Sequence, residues 1–306
     1  MSTSDTKKIL FLCVPWVFVF LWSTGFVGAK FTVQYSEPFH LLFWRGALSC
    51  VAFWLLAKMM RVRFPSAKGA VKQMLVGLFL HALFLGGCFS AMDQGIPSGV
   101  VALITGLQPV LTAILVSTIH RTHLSPIKWL GIVIGFLGVY FVLSPDHQPV
   151  SFNALGLVFA AAGLCGVTLG ALLQKSIRAD GHLVSATFYQ YVALTVSMGV
   201  LSYCFEEKGV DWNMPFTLGL VWLVLGVSVT AVLLLMYMIQ NGEATKVATY
   251  FYLVPVLTAI EAWALFDEPI TLPMITGMAL SIIGLLLVIR QEPNESSKAR
   301  LGPKTQ

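Results

Sequence analysis

Long apolar runs alternate along the chain with short polar links. Ten such runs fall near residues 9–28, 39–57, 73–92, 98–118, 128–145, 153–174, 183–204, 216–239, 247–266 and 272–290. At ~1.5 Å rise per residue, helices of this length cross a hydrocarbon core ~30 Å thick. None of the runs shows the period-two polarity of a barrel strand. The pattern therefore predicts an all-α membrane protein with ten transmembrane helices and no room between them for a soluble domain.

Composition fits that picture. Of 306 residues, 57% are hydrophobic and 11% charged, against about 25% charged in soluble proteins. Mean hydropathy is +0.81, so lipid must be the main solvent. Lys7 and Lys8 precede the first run as in a signal peptide. The run is too long for one, no small-residue cleavage site follows, and the next span starts within about ten residues. Cys13, Cys50, Cys88, Cys165 and Cys204 lie in or at the ends of spans, at spacings that match no metal or redox motif.

Charge supplies an orientation. With the N-terminus in the cytoplasm, 16 of the 19 basic residues fall on the inner side, including Lys58, Arg61, Arg63, Lys68 and Lys72 in one loop and Lys175 and Arg178 in another. Lys30 and Lys208 fall outside, with Glu37, Asp93, Asp146, Glu206, Glu207, Asp211, Asp267 and Glu268. The positive-inside rule then puts both termini in the cytoplasm of a bacterial inner (plasma) membrane. The net charge of +5 follows from topology, and no nucleic-acid partner is expected.

The chain also matches itself. At an offset of 146, Pro109-Val-Leu-Thr-Ala-Ile114 falls on Pro255-Val-Leu-Thr-Ala-Ile260, with Gly131 on Gly277 and Gly138 on Gly284. At an offset of 145, Phe43-Trp44-Arg45 falls on Phe188-Tyr189-Gln190. Each half has five crossings, an odd number, so the halves enter from opposite sides. Accordingly the basic link Ile119-His-Arg-Thr-His-Leu124 corresponds to the acidic link Leu265-Phe-Asp-Glu-Pro-Ile270. The expected division is 1–145 and 146–290, two inverted five-helix repeats, followed by a cytoplasmic tail, 291–306. Inverted repeats place a substrate site near the bilayer midplane in many secondary transporters.

The residues that carry the repeat resemble a known family. Leu21-Trp-Ser-Thr-Gly-Phe-Val-Gly-Ala-Lys30, Pro38 followed by Arg45, and Ala102 through Pro109 are similar to the EamA-type repeat, with a second copy through Ala248, Pro255, Glu268-Pro-Ile-Thr271, Gly277 and Gly284. The resemblance implies the drug/metabolite transporter superfamily: ten helices in two repeats, moving amino acids, nucleobases, sugars, drugs or other metabolites. It leaves the substrate open.

Few ionisable groups lie inside the spans, and each costs at least ~2.5–3.5 kcal/mol at a helix centre unless paired or hydrated. Arg45 and Glu261 sit at similar depth with opposite sign. The expectation is that both face a central cavity, Arg45 attracting a carboxylate or other anion and Glu261 taking an amine, a proton or Arg45 itself. A buried ion pair that locks packing, or snorkelling of Arg45, remains the alternative. Trp22, Ser23, Trp44, His81, Tyr189, Gln190, Tyr191, Tyr250 and Tyr252 are candidate lining residues, suited to a small amphiphilic solute. Pro109 and Pro255 are candidate hinges. Gly131/Gly135 and Gly166/Gly170 have the spacing for close helix packing. His120 and His123 lack the further ligands of a zinc site, so no metal or cofactor is expected. With no GxxxxGK[ST], HExxH or GxSxG, the reading is a non-enzymatic secondary transporter. Its partners are the bilayer, a small-molecule substrate and a coupling proton or counter-substrate. A membrane sensor or assembly factor is the alternative.

Overall fold

The computed structural model describes residues 3–121, 123–143, 153–177, 181–240, 251 and 253–289, and every regular element among them is a helix. In chain order these are α1 (Thr3–Thr32), α2 (Pro38–Met59), α3 (Ala67–Gly77), α4 (Phe84–Asp93), α5 (Ser98–Gly106), α6 (Gln108–His120) and α7 (Pro126–Leu143). There follow α8 (Ala154–Ser176), α9 (Leu183–Phe205), α10 (Met214–Val221), α11 (Val232–Gln240), α12 (Val254–Phe266) and α13 (Leu272–Ile289). A π-helical segment, Leu78–Leu83, joins α3 to α4, and another, Trp222–Ala231, joins α10 to α11.

Eight of the described stretches are long and apolar enough to cross a membrane: Cys13–Thr32, Pro38–Met59, Ala67–Asp93, Ser98–Ile119, Pro126–Leu143, Ala154–Ser176, Leu183–Phe205 and Met214–Met238. Val254–Phe266 and Leu272–Val288 are shorter apolar helices. The expected ninth run begins among residues that lie outside the described ones. The third span starts at Ala67, well before the apolar run near 73. The cause is local: Ser66 Oγ accepts the Gly69 amide and caps a polar first turn. Asn153, His182 and Asn213 cap α8, α9 and α10 in the same way, while Pro38 and Pro126 open α2 and α7.

Irregularities recur at matching places in the two halves. Leu78, at the start of one π segment, lies 145 residues before Leu223, inside the other. Leu107 interrupts α5 and α6 just before Pro109, and Leu253 precedes α12 just before Pro255. The C-caps Arg121 and Asp267, also 146 apart, both take left-handed backbone, φ 51° and φ 55°.

Lipid tails are as apolar as leucine, so helices in a bilayer associate mainly through close packing. Glycine makes the tightest contacts possible. A Cβ on Gly131 would come 2.5 Å from the Gly284 carbonyl oxygen, and one on Gly277 2.5 Å from that of Gly138, which locks α7 to α13. A Cβ on Gly166 of α8 would come 2.6 Å from the Phe84 amide nitrogen, and one on Gly170 2.6 Å from that of Leu80. Two contacts join residues one repeat apart: Ser281 Oγ donates to the Gly135 carbonyl at 3.4 Å, and Cys50 Sγ lies 3.7 Å from Thr195 Oγ1 between α2 and α9. The main core runs through Phe18, Phe53, Phe89, Tyr191 and Phe216, all buried.

Polar contacts fasten both ends of the bundle. At one end, Glu206 accepts the Phe39 and His40 amides at 2.6 and 2.7 Å, tying the start of α2 to the end of α9. At the other, the His182 amide and Ser185 Oγ both donate to the Arg63 carbonyl.

Candidate functional site

The α2 helix carries Arg45 into the protein interior, where it is 3% exposed. Its Nε donates to Ser228 Oγ at 3.0 Å, and the guanidinium carbon stands 5.6 Å from the centre of the Phe89 ring. Ser228 belongs to the π segment of the eighth span, whose wider turn turns side chains inward that a regular helix would carry elsewhere. Among the described residues, no carboxylate lies within salt-bridge distance of Arg45. A buried cation is stabilised by a carboxylate, or by a ligand that brings one.

The related crossing on α9 holds Gln190, which is 5% exposed. Its amide nitrogen donates to Gln73 Oε1 at 2.7 Å and to Gln174 Oε1 at 2.6 Å, and its oxygen meets His81 Nε2 at 3.2 Å. The last contact puts the imidazole proton on Nε2, since the Gln190 oxygen can only accept. His81 stacks on Tyr191 at 4.5 Å, and Tyr191 stacks on Phe53 at 5.5 Å. Gly77 lets α3 approach the backbone of Gln190 with no side chain between them. Arg45, Ser228, Tyr191, His81 and Gln190 thus form one polar seam between spans from both ends of the chain. Gln73, Gln174 and Ser228 were not among the sequence candidates. Their signal was a neutral polar residue within or bordering an apolar run.

Glu261 is set apart from Arg45. It accepts from Ser23 Oγ at 2.7 Å across α1 and α12, and the two charges do not form the pair that was one of the options the sequence left open. Trp22, next to Ser23 in the chain, packs in an aromatic cluster with Phe18 and Phe251, at ring distances of 5.1–5.5 Å. Two other candidates point elsewhere. Trp44 meets Phe43 and Trp212, in the polar link before α10, edge to face, and Tyr189 packs on Phe64 and Phe188 near the opposite end of the bundle. Tyr191, a sequence candidate alongside Tyr189, is the tyrosine that lies in the seam. Tyr250 and Tyr252 lie outside the described residues. Pro109 and Pro255 stand at the second positions of α6 and α12, where a missing backbone donor costs nothing. Each therefore follows a break in its span.

A cavity of about 360 Å³ opens where α1, α4 and α12 end, lined by Lys30, Val33, Gln34, Met92, Asp93, Gly95 and Phe266. Neither Arg45 nor Glu261 lines it. Close by, Glu268 accepts from the Ser98 amide and hydroxyl at 3.4 Å. Burial holds its carboxyl above the ordinary glutamate value, with Ser98 and Lys30 pulling it back. Among the described residues no His, Cys, Asp and Glu gather in the numbers a metal ion needs.

Comparison with known proteins bears on the whole chain. The EamA-like transporter family matches residues 9–144 and 147–290. The uncharacterized transporter YyaM of Bacillus subtilis (strain 168) is 29% identical over 276 residues, covering 84% of this chain and 86% of the relative. The uncharacterized inner membrane transporter YedA of Escherichia coli (strain K12) is 23% identical, covering 88% and 86%. An S-adenosylmethionine uptake transporter of Rickettsia felis (strain ATCC VR-1525 / URRWXCal2) is 28% identical over 62% of each chain. One solved crystal structure superposes with a TM-score of 0.60 at 18% identity, covering 90% of this chain and 94% of that one, a likeness of fold alone. With both halves matched, the chain is a multi-pass membrane protein that belongs to the EamA-like transporter family of the drug/metabolite transporter superfamily.

Proposed function

We propose that the protein is a secondary transporter that moves a small organic metabolite bearing a carboxylate or similar anionic group across the bacterial inner membrane by alternating access. Arg45 is the anchor for that group, with His81, Tyr191 and Gln190 lining the path and Pro109 and Pro255 as hinges. The observation that carries this reading is the burial of Arg45 beside Ser228 and Phe89 with no described carboxylate to neutralise it. A cation held this way is a pre-paid binding site for an anion.

The mechanism needs two halves that can rock on a shared axis, and several contacts favour ten helices in inverted repeats, residues 1–145 and 146–290. Under a two-fold relation, residues one repeat apart touch each other only beside the axis. Cys50 with Thr195 and Gly135 with Ser281 are such pairs. Gly131 on Gly284 and Gly138 on Gly277 are the reciprocal contacts that the same axis generates. The relative named for S-adenosylmethionine uptake adds a carboxylate-bearing solute to those worth testing.

The test is counterflow in liposomes containing the purified full chain, with a panel of labelled carboxylates, phosphates, amines and S-adenosylmethionine. Carboxylate-bearing solutes should exchange, and Arg45→Gln should lower exchange by roughly 10- to 100-fold, the value of one charge-assisted hydrogen bond. Exchange confined to solutes without an anionic group, unchanged in Arg45→Gln, would overturn the reading.

A further inference from the structure

We infer that Glu261 is a proton-binding site whose charge is read by Ser23, and that the ion coupled to transport is a proton carried there. The role in coupling rests on the transport reading; the chemistry of the site does not.

Ser23 is fully buried on α1, and its Oγ has two acceptor-type neighbours: the Phe20 carbonyl at 2.9 Å and Glu261 Oε1 at 2.7 Å. A hydroxyl has one proton and two lone pairs, so it cannot donate to both. If Glu261 is neutral, its Oε1–H donates to Ser23 Oγ while the Ser23 proton goes to Phe20. If Glu261 is ionised, the Ser23 proton turns to Oε1, and Phe20 keeps only its helix partner. Ser23 therefore serves either charge state by rotating one bond. A proton arriving from water stays on the carboxyl, and Ser23 gives up none of its own.

The surroundings favour a group that changes charge over a permanent ion. Among the described residues, Glu261 Oε2 is buried with no hydrogen-bond partner, and so is Thr258 Oγ1, one turn earlier on the same face of α12. An ionised carboxylate would hold an unmatched buried oxygen, at the cost that buried charges carry. The helices packed on α12 bring no compensating cation among the described residues. Helix α5 has no titratable residue, and Lys30, two turns beyond Ser23 on α1, is a neighbour of Glu268 in the link after α12. Asp267 and Glu268 beyond the C-terminus of α12 add only negative charge.

The test is infrared difference spectroscopy of the purified full chain in lipid, titrated from about pH 5 to about pH 9, a range that covers carboxyls displaced from ordinary values. A protonated-carboxyl band that titrates in the native chain, disappears in Glu261→Gln and returns in Glu261→Asp is the expected result. Ser23→Ala should move that band, because the carboxyl loses its hydrogen-bond partner, and Thr258→Val should not remove it. A spectrum identical in the native chain and Glu261→Gln overturns the proton site. Once a transported solute is in hand, accumulation driven by an imposed pH gradient should fall at least tenfold in Glu261→Gln, and undiminished accumulation would overturn the coupling role. A titrating Glu261 in a protein that exchanges no solute would instead sink the transport reading and leave the proton site standing.

Discussion

Arg45 and Glu206 show two ways of burying a charged group. Arg45 meets one hydroxyl and one ring, and its charge has no carboxylate partner among the described residues. Glu206 is saturated by two backbone amides at the start of α2, where a carboxylate also meets the positive end of the helix. Lysine would not replace Arg45, because an ammonium lacks the planar fork that can bond Ser228 and a solute carboxylate together. Arg45→Lys should therefore insert normally yet lose roughly tenfold in exchange, measured in the same liposomes. For Glu206, burial raises the carboxyl above its ordinary 4.5, and the amides of Phe39 and His40 pull it part of the way back. A raised value in the fold means that the neutral form is favoured there. The stabilisation from this group is then complete below about 4.5 and is lost as the pH rises through the raised value. Glu206→Gln should remove that dependence, so the melting temperature of the native chain, measured against this variant, should fall as the medium goes from acidic to neutral. His40 Nδ1 lies 3.7 Å from the carboxylate, and His40→Gln is the control that separates the two.

Helices were legible in the sequence, but their faces were not. A run of twenty apolar residues announces a span by length alone, and the caps and prolines that bound it act locally. Which side turns inward is a different matter, because a helix that is apolar all round has no preferred face. Tyr189, Gln190 and Tyr191 point about 100° apart in succession, and the sequence offered no reason to choose among them. The structure puts Gln190 and Tyr191 in the seam and Tyr189 on Phe64. The π segments were equally hidden, since they depend on how neighbouring helices meet. Glycine was the exception, as its spacing already indicated where helices come close. Gly77 is the strictest case, because its Cβ would press on the Gln190 backbone, whereas one on Gly209 would meet nothing within 4 Å. Backbone cannot move aside as a side-chain tip does. Gly77→Ala should cost roughly 1–3 kcal/mol, as overpacking does, and lower the thermal transition in detergent. Gly209→Ala should leave that transition where it is.

At the scale of the whole molecule the repeat makes a demand that local structure does not. If the two halves are one unit inserted in opposite senses, matching loops must face opposite compartments, and their charges should differ accordingly. The left-handed caps at Arg121 and Asp267 are such a pair: the same backbone turn, one carrying a cation and the other an anion. The rule that keeps basic loops in the cytoplasm would account for that difference of sign if the halves are inverted. Single cysteines placed in a chain freed of its five native ones test this directly, read by a reagent that cannot cross the membrane. Positions 68, 121 and 176 should be shielded in intact cells and labelled only after lysis, while positions 208 and 267 should be labelled from outside. Labelling of 121 and 267 from the same side would mean that the two halves run parallel. The proposed pseudo-two-fold axis would then fall, and with it the equivalence proposed for Arg45 and Gln190.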